Sequence, residues 1–148
     1  KVYFRVLDPR AHLTPQREGD VGMDLKALET FVIEPGAIVK VKTGLGLSKT
    51  PESTLGPIFF KTEERSGMAL NKIFVHGHII DPNYRGEMHV ILHNAGTEPY
   101  EVKAMDKIAQ LVIYVASFNH QGCTNVWVED DEVEHTNRGA NGFGSQGR

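Results

Sequence analysis

The residues best suited to chemistry occur in short segments that lie far apart along the chain. Arg65, Ser66 and Gly67 offer a guanidinium, a hydroxyl and backbone N–H groups at the start of a predicted helix, where an anion is stabilised. Asp24 places a carboxylate near a glycine in the segment VGMDL, close to the start of a strand. An Arg-Ser pair at a helix start also commonly serves only as a cap, so a structural interpretation stays open here.

Two further segments contribute an acid, an aromatic ring and an amide. Asp81 ends an apolar strand in IIDPNYRGE and is followed by a turn that leads to Tyr84. Gln110 interrupts the apolar strand pattern of DKIAQLV. An aspartate before proline commonly caps a turn, and a glutamine in a strand commonly faces solvent. Each segment alone therefore has a structural explanation, and any phosphate site must be assembled from separate pieces.

The C-terminal segment, residues 137–148, has the sequence NRGANGFGSQGR. Its G-x-G-x-x-G spacing matches the dinucleotide-binding fingerprint, but that fingerprint requires a preceding strand and a following helix, so we reject this interpretation. The segment cannot bury enough apolar surface to order itself. Two interpretations remain: a disordered end, or an arm that orders over a ligand, with Arg138 supplying charge and Phe143 a ring face.

Short strands must position these residues. Runs of strand-forming residues, separated by glycine and proline, are predicted at Lys1–Val6, Thr30–Ile33, Ile38–Leu47, Ile58–Lys61, Met88–His93 and Ile108–Val115. One short helix is predicted over Arg65–Lys72, with Ser66 as its N-cap. Many short strands at close spacing predict an all-β domain of the sandwich or barrel type.

Composition argues against several functional classes. The 148 residues carry 16 Lys and Arg against 19 Asp and Glu, a net charge of −3 that disfavours broad nucleic-acid binding. No apolar run reaches the length of a membrane span. Cys123 is the only cysteine and cannot form an intrachain disulfide. We expect an intracellular protein, in the cytoplasm or the nucleus, without nucleic-acid or membrane partners; the first residue, Lys1, leaves open whether an upstream segment was removed.

Taken in order, the segments VGMDL, RSGMA, HIIDPNYRGE, MDKIAQLV and RGANGFGSQG resemble the five motifs of the homotrimeric dUTP pyrophosphatases, the dUTPase family. The resemblance extends from Val21 to Gly147. It implies a jelly-roll-like β domain over residues 1–136, a flexible glycine-rich arm over residues 137–148 that closes over the active site, and sites at the interfaces of a homotrimer. The implied reaction converts dUTP and water to dUMP and pyrophosphate, which limits uracil incorporation into DNA and supplies dUMP.

The resemblance also implies roles for individual residues. Asp81 would take a proton from the water that attacks the α-phosphate, and Asp24 would hold Mg²⁺ through a bound water. Tyr84 would pack against the deoxyribose, and the backbone of a hairpin edge at Val75–Ile80 would read the uracil. Substrate binding is implied for Arg65, Ser66, Gly67, His78, Ile80, Tyr84, Gln110, Arg138, Phe143, Gly144, Ser145 and Gln146.

The sequence departs from the family pattern at four positions. His78 stands where the family usually has glycine in the uracil-reading segment, and Gln146 stands where it usually has threonine. Before IAQL, Met105 replaces a usual glycine and Lys107 a usual arginine. The His78 departure bears most directly on function, because it lies in the segment that would recognise the base.

Three alternatives stay open beside dUTP hydrolysis. A dCTP deaminase of the same fold is disfavoured, because Ile91 stands where those enzymes carry a glutamate and an apolar residue cannot shuttle protons. A non-enzymatic interaction protein of the same fold is disfavoured by the retention of Asp81 and the other motif residues. A zinc site built from His76, His78 and His89 lacks a cysteine or acidic ligand to complete it.

Overall fold

Short strands dominate the fold, as the sequence predicts. The computed structural model describes residues 1–11, 18–77 and 79–116. The elements in these ranges are β1 (Phe4–Val6), β2 (Gly22–Lys26), β3 (Phe31–Ile33), β4 (Ile38–Leu47), β5 (Ile58–Glu63), α1 (Ser66–Leu70), β6 (Ile73–His76), β7 (Ile79–Ile80), β8 (Glu87–Asn94), β9 (Tyr100–Val102) and β10 (Lys107–Val115). In this part of the chain no helix is long or apolar enough to cross a bilayer.

Two four-stranded sheets and one two-stranded sheet organise these strands. The strand orders are β1-β4-β8-β6, β2-β10-β5-β7 and β3-β9, and neighbouring strands run antiparallel. An antiparallel sheet can bury one face and leave the other to solvent, and buried and half-buried residues alternate along β8 accordingly. The prediction of an all-β domain is confirmed.

The inner faces of the two larger sheets share one apolar core. Phe60 on β5, Leu92 on β8 and Leu111 on β10 are fully buried. The ring of Phe4 on β1 meets the ring of Phe60 edge to face, with the two centroids 6.2 Å apart. Burial of a side chain of this size contributes about 1.5–3 kcal/mol to stability. This core fixes the strands on which the polar motif residues lie.

The helix differs from its prediction at its start. Arg65, not Ser66, is the N-cap residue: its backbone is extended and its carbonyl accepts hydrogen bonds from the N–H groups of Met68 and Ala69. No side-chain hydrogen bond caps the start of the helix. The prediction of Ser66 as a hydroxyl cap is therefore wrong, because Ser66 already has helical geometry and lies inside the first turn.

The described residues of Val75–Ile80, the segment that the resemblance implies as a hairpin edge, are divided between two strands. Its first part belongs to β6, which pairs with β8, and its last part forms β7, which pairs with β5. The chain therefore passes from one sheet to the other, with Gly77 in the left-handed region at a φ of 63°. Residues with a side chain adopt that conformation at a cost of about 1–2 kcal/mol. His78, the departure from the family pattern, lies outside the described residues.

Candidate active site

A carboxylate that contacts two cations lies at the centre of the candidate site. Asp24 is in the middle of β2 rather than near its start. Its Oδ1 atom is 2.9 Å from Nε of Arg65, and its Oδ2 atom is 2.7 Å from Nζ of Lys107. The three side chains are 21%, 35% and 41% exposed, respectively, so the cluster is open to solvent. It carries a net charge of one positive unit and suits an anionic ligand.

The sheet brings Gln110 to the same face. Gln110 lies directly opposite Asp24 on β2 and opposite Glu63 on β5. Its side-chain amide donates a hydrogen bond of 2.8 Å to the carbonyl of Glu64, just before the helix. The Gln110 side chain also occupies the space beside Gly22, where an added Cβ would lie 2.2 Å from Oε1. Glycine at position 22 therefore makes room for the amide that the sequence predicts to bind phosphate.

Lys107 is the residue of this cluster that the sequence-based site prediction missed. Strand β10 pairs with β2 in regular register from Ala109 to Val112. Between Lys107 and Ala109, which face neighbouring residues of β2, β10 carries one extra residue, Ile108. Side chains alternate along a regular strand, so residues 107 and 110 would point to opposite faces. The β-bulge changes this alternation and turns Lys107 toward Asp24. The bulge depends on strand pairing, which explains why the sequence pattern alone did not reveal it.

The start of α1 borders a groove beside this cluster. Ser66 and Gly67 lie exposed in the first turn of the helix, while Met68 is buried and anchors the helix to the core. The groove has a volume of about 560 Å³, and its lining includes Arg65, Gly67 and Lys107. The N–H groups at this turn and the cations beside it form a surface that an anion can approach from solvent.

Asp81 and Tyr84 form a second group at the end of β7. The Tyr84 N–H donates to the carbonyl of Asp81 at 3.1 Å, which closes a tight turn. The Tyr84 hydroxyl donates to the carbonyl of Glu87 at 3.1 Å, and its ring covers Gly86, where an added Cβ would lie 2.1 Å from the hydroxyl oxygen. The side chain of Asp81 is exposed. The turn therefore presents a carboxylate and an aromatic ring to solvent on a defined backbone.

Arg85 stabilises this turn through hydrogen bonds. Its guanidinium donates hydrogen bonds of 3.0 Å to the carbonyls of Pro82 and Tyr84 and one of 2.7 Å to the hydroxyl of Thr50. Arg5 on β1 donates in turn to the carbonyl of Arg85. These contacts hold the backbone that carries Asp81 against the edge of the other sheet.

The two groups are separated within one chain. Gln110 lies opposite Glu63 on β5, whereas Ile80, the residue before Asp81, lies opposite Phe60 on the same strand. Measured along the strands, Gln110 and Asp81 are thus about four residues apart. Across the sheet they are two strands apart, because β5 lies between β10 and β7. Their backbones are therefore about 16 Å apart. Arg65 lies further still, beyond the opposite end of β5. The structure gathers Asp24, Arg65 and Gln110 in one place and Asp81 and Tyr84 in another.

The C-terminal arm and its predicted contacts lie outside the described residues. These predicted contacts are Arg138, Phe143, Gly144, Ser145 and Gln146. In the predicted uracil-reading segment, Ile80 is buried on β7, and only His78 lies outside the described residues.

The donor set of the described residues suits one particular kind of metal binding. Among them, no three His, Cys, Asp or Glu side chains converge on a common point. A closed metal cage is therefore not formed by these residues of a single chain. Mg²⁺ commonly binds through one or two carboxylates together with water and substrate phosphates, and Asp24, half-exposed beside the groove, fits that mode.

Two histidines of the disfavoured zinc alternative, His76 and His89, make separate contacts in the structure. Nε2 of His76 lies 3.2 Å from Nδ1 of His93, across β6 and β8. His89 instead contacts the carbonyl of Glu87 through Nδ1 at 3.0 Å. The described contact of His76 is thus with His93, and His78, the third residue of the disfavoured zinc site, lies outside the described residues.

Comparison with known proteins gives a consistent result. The dUTPase family model matches residues 8–147. A deoxyuridine 5'-triphosphate nucleotidohydrolase from Solibacter usitatus is 39% identical over 150 residues, which cover 95% of this chain and 91% of the relative. A Staphylococcus bacteriophage 80alpha dUTPase variant, solved with dUpNHpp, matches with a TM-score of 0.80 at 20% identity, over 100% of this chain and 99% of that one. A dUTPase variant from phage phi11 of S. aureus, described with a structural Mg(II) ion, matches with a TM-score of 0.72 at 21% identity, over 91% and 99%.

Proposed function

This chain belongs to the dUTPase family and is a dUTP diphosphatase with a jelly-roll-like fold, and we propose that its two groups of polar residues are the two halves of one active site. The enzyme hydrolyses dUTP to dUMP and pyrophosphate, which limits uracil incorporation into DNA and supplies dUMP. The observation that carries the proposal is the convergence of Asp24, Arg65 and Gln110, from three separate segments, on one face of the β2-β10-β5-β7 sheet.

The general base in this proposal is Asp81. Water is a weak nucleophile, so its attack on the α-phosphate needs a proton acceptor within hydrogen-bond reach. The Asp81 carboxylate is exposed at the end of β7, and the turn to Tyr84 holds its backbone. Asp81 accepts the water proton as the new oxygen–phosphorus bond forms, and pyrophosphate leaves with the electrons of the broken bond.

Phosphate binding falls to the residues around the start of α1. Arg65 supplies a guanidinium, Ser66 and Gly67 supply a hydroxyl and N–H groups, and Gln110 supplies an amide. In the C-terminal arm, Arg138, Ser145 and Gln146 add donors when the arm closes over the nucleotide. Closure excludes water and orients the phosphates for in-line attack.

The metal in this proposal is Mg²⁺, which Asp24 would hold through a bound water. The family is metal-dependent. When bound, Mg²⁺ neutralises charge on the phosphate oxygens. Asp24 supports this assignment because it is a half-exposed carboxylate within contact distance of the groups proposed to bind the phosphates.

Base and sugar selection rest on the second half of the site. Tyr84 packs against the deoxyribose and leaves no room for a 2′-hydroxyl. The backbone of Val75–Ile80, together with His78 and Ile80, reads the uracil edge, and Phe143 with Gly144 covers the base. A peptide edge matched to uracil leaves unpaired groups against cytosine, and such a mismatch can discriminate by about 10⁴-fold.

Three copies of the chain complete the site in this proposal. The two halves lie about 16 Å apart within a chain, farther than an aspartate and a glutamine side chain can span together. A homotrimer, with sites at its subunit interfaces, would place the Asp81 half of one copy against the Arg65 half of the next. The arm over residues 137–148 would close each site.

Pyrophosphate release tests the proposed substrate. The protein is incubated with Mg²⁺ and, separately, with dUTP, dCTP, dTTP and UTP, and pyrophosphate is measured. Strong preference for dUTP is expected, because the uracil edge and the missing 2′-hydroxyl are both read. No release from any nucleotide would instead indicate an interaction protein, and comparable release from UTP would contradict the role of Tyr84.

A further inference from the structure

Lys107 belongs to the Asp24 cluster but has no role in the site described so far. Its ammonium group lies 2.7 Å from Oδ2 of Asp24, while Arg65 occupies Oδ1. Arg65 also donates a hydrogen bond of 3.4 Å to the backbone carbonyl of Lys107. Both the side chain and the backbone of Lys107 are therefore tied to the residues proposed to bind the metal and the phosphates.

The local backbone is shaped to present this lysine. The extra residue Ile108 turns Lys107 to the Asp24 face. Just before it, Met105 adopts a left-handed conformation, with a φ of 71°, and donates its N–H to the carbonyl of Ala27 at 2.7 Å. A non-glycine residue in that conformation carries a conformational cost. The strained residue Met105 lies two positions before Lys107, which lines the groove.

We propose that Lys107 is a phosphate-binding residue of this site, held by Asp24 until the phosphate oxygens of the nucleotide replace the carboxylate. The Asp24 carboxylate and a phosphate both present anionic oxygens, so either one can accept hydrogen bonds from the ammonium group of Lys107. Lys107 is 41% exposed and lines the groove, so a phosphate oxygen can reach it. The inference rests on the proposed function, because it assumes that a triphosphate binds beside Arg65.

A binding experiment without metal tests the exchange directly. The non-hydrolysable analogue dUpNHpp is titrated by calorimetry in EDTA into the unchanged protein, D24N, K107M and the double variant. If Asp24 competes with phosphate for Lys107, D24N binds the analogue about tenfold more tightly and K107M about tenfold more weakly. The gain from D24N is then smaller in the double variant, where the substitution frees only Arg65. If Lys107 only stabilises the strand, K107M keeps the affinity of the unchanged protein and D24N gains the same affinity with or without Lys107, and this result overturns the proposal.

Conservative and remote substitutions complete the test. K107R keeps the charge and is expected to bind within a few-fold of the unchanged protein. K40M removes an equal charge from β4 of the other sheet and is expected to leave affinity unchanged. With Mg²⁺ and dUTP, K107M raises KM about tenfold or more and changes kcat much less.

The outcomes separate this inference from the proposed function. An unchanged protein that hydrolyses dUTP, together with a K107M variant of unchanged affinity, overturns the role of Lys107 alone. Loss of affinity in K107R and K40M equal to that in K107M also overturns it. An unchanged protein that neither binds dUpNHpp nor hydrolyses dUTP overturns the proposed function and the role of Lys107 together.

Discussion

At the position of Asp81, the chain combines an exposed carboxylate with a backbone that several hydrogen bonds hold in place. The turn to Tyr84 and the guanidinium of Arg85 fix the direction in which the carboxylate leaves the strand. A general base needs this kind of placement more than it needs burial, because proton transfer requires hydrogen-bond distance to the attacking water.

Replacement of Asp81 by asparagine is expected to lower kcat by about 10²–10⁴-fold, because the amide cannot accept the water proton. Affinity for dUpNHpp is expected to stay unchanged, since the amide has nearly the same shape. Pyrophosphate release and calorimetry measure the two quantities. Asp20→Asn, at another exposed aspartate, is the matched control and should keep full turnover; equal turnover in Asp81→Asn would remove the base assignment.

A second carboxylate shows how one neighbour sets a pKa. Asp8 accepts hydrogen bonds from the backbone N–H of Arg10 at 2.9 Å and from its guanidinium at 2.9 and 2.7 Å. These bonds favour the ionised carboxylate and lower the pKa of Asp8 from 3.8 to about 2. Because the folded pKa lies below the unfolded one, the stabilisation is present above pH 3.8 and is lost as the pH falls through 2.

Replacement of Arg10 by methionine is expected to raise the pKa of Asp8 toward 3.8, since the side-chain hydrogen bonds are the largest cause of the shift. Carbon-13 NMR of the Asp8 carboxyl group across pH 1.5–6 would measure it. The backbone hydrogen bond remains in this variant, so a small part of the shift should persist. An Asp8 that still titrates near 2 would show that Arg10 is not responsible.

At the scale of elements, backbone conformation limits substitution at two glycines, one inside β4 and one in the turn before it. Gly44 has a φ of 69° in β4, and an added Cβ would lie 2.7 Å from the Ala11 Cβ and 2.8 Å from the Asp8 Cβ. Gly36 has a similar φ of 76°, but an added Cβ would meet nothing within 4 Å. Alanine substitutions at the two glycines therefore separate the energetic cost of the left-handed backbone conformation from the cost of steric crowding.

Gly36→Ala is expected to lower the free energy of unfolding by about 1 kcal/mol, through the left-handed conformation alone. Gly44→Ala is expected to lower it by about 2–4 kcal/mol, because the methyl group also displaces packed neighbours. Urea unfolding measures both, with the midpoint shift read at constant slope. Equal losses in the two variants would contradict the crowding at Gly44.

The predictions of elements from sequence were accurate where the pattern is local. Strand β4 has the predicted limits, Ile38–Leu47, because a run of β-branched residues follows the turn residues Pro35 and Gly36. The start of the helix was less accurate, because Arg65 rather than Ser66 is the N-cap residue. The bulge at Lys107 was not predicted at all, since strand pairing between distant residues leaves no local signal.

At the scale of the whole molecule, the separation of the two half-sites leads to a test of assembly. R65M damages the half-site that binds the phosphates, and D81N damages the half-site that carries the general base. If each site combines halves from different chains, a random mixture of the two variants restores about a quarter of the sites. Activity is measured after the two proteins are unfolded together and refolded, and the mass in solution is measured by light scattering.

A mixture of D24N and R65M is the matched control for this experiment. Both substitutions lie in the same half-site, so no mixed assembly contains an intact phosphate half, and no activity should return. Restored activity in the control, or none in the R65M and D81N mixture, would contradict a site shared between chains.

The sequence by itself determined the strand-rich fold and the identity of the motif residues, because alternation, turn residues and motif spacing are local properties. Only the tertiary structure decided that Lys107 joins Asp24 and that Asp81 lies far from Arg65 in the same chain. Both results follow from strand register, in which a single inserted residue reverses the face of a side chain and strand order sets the distance between segments.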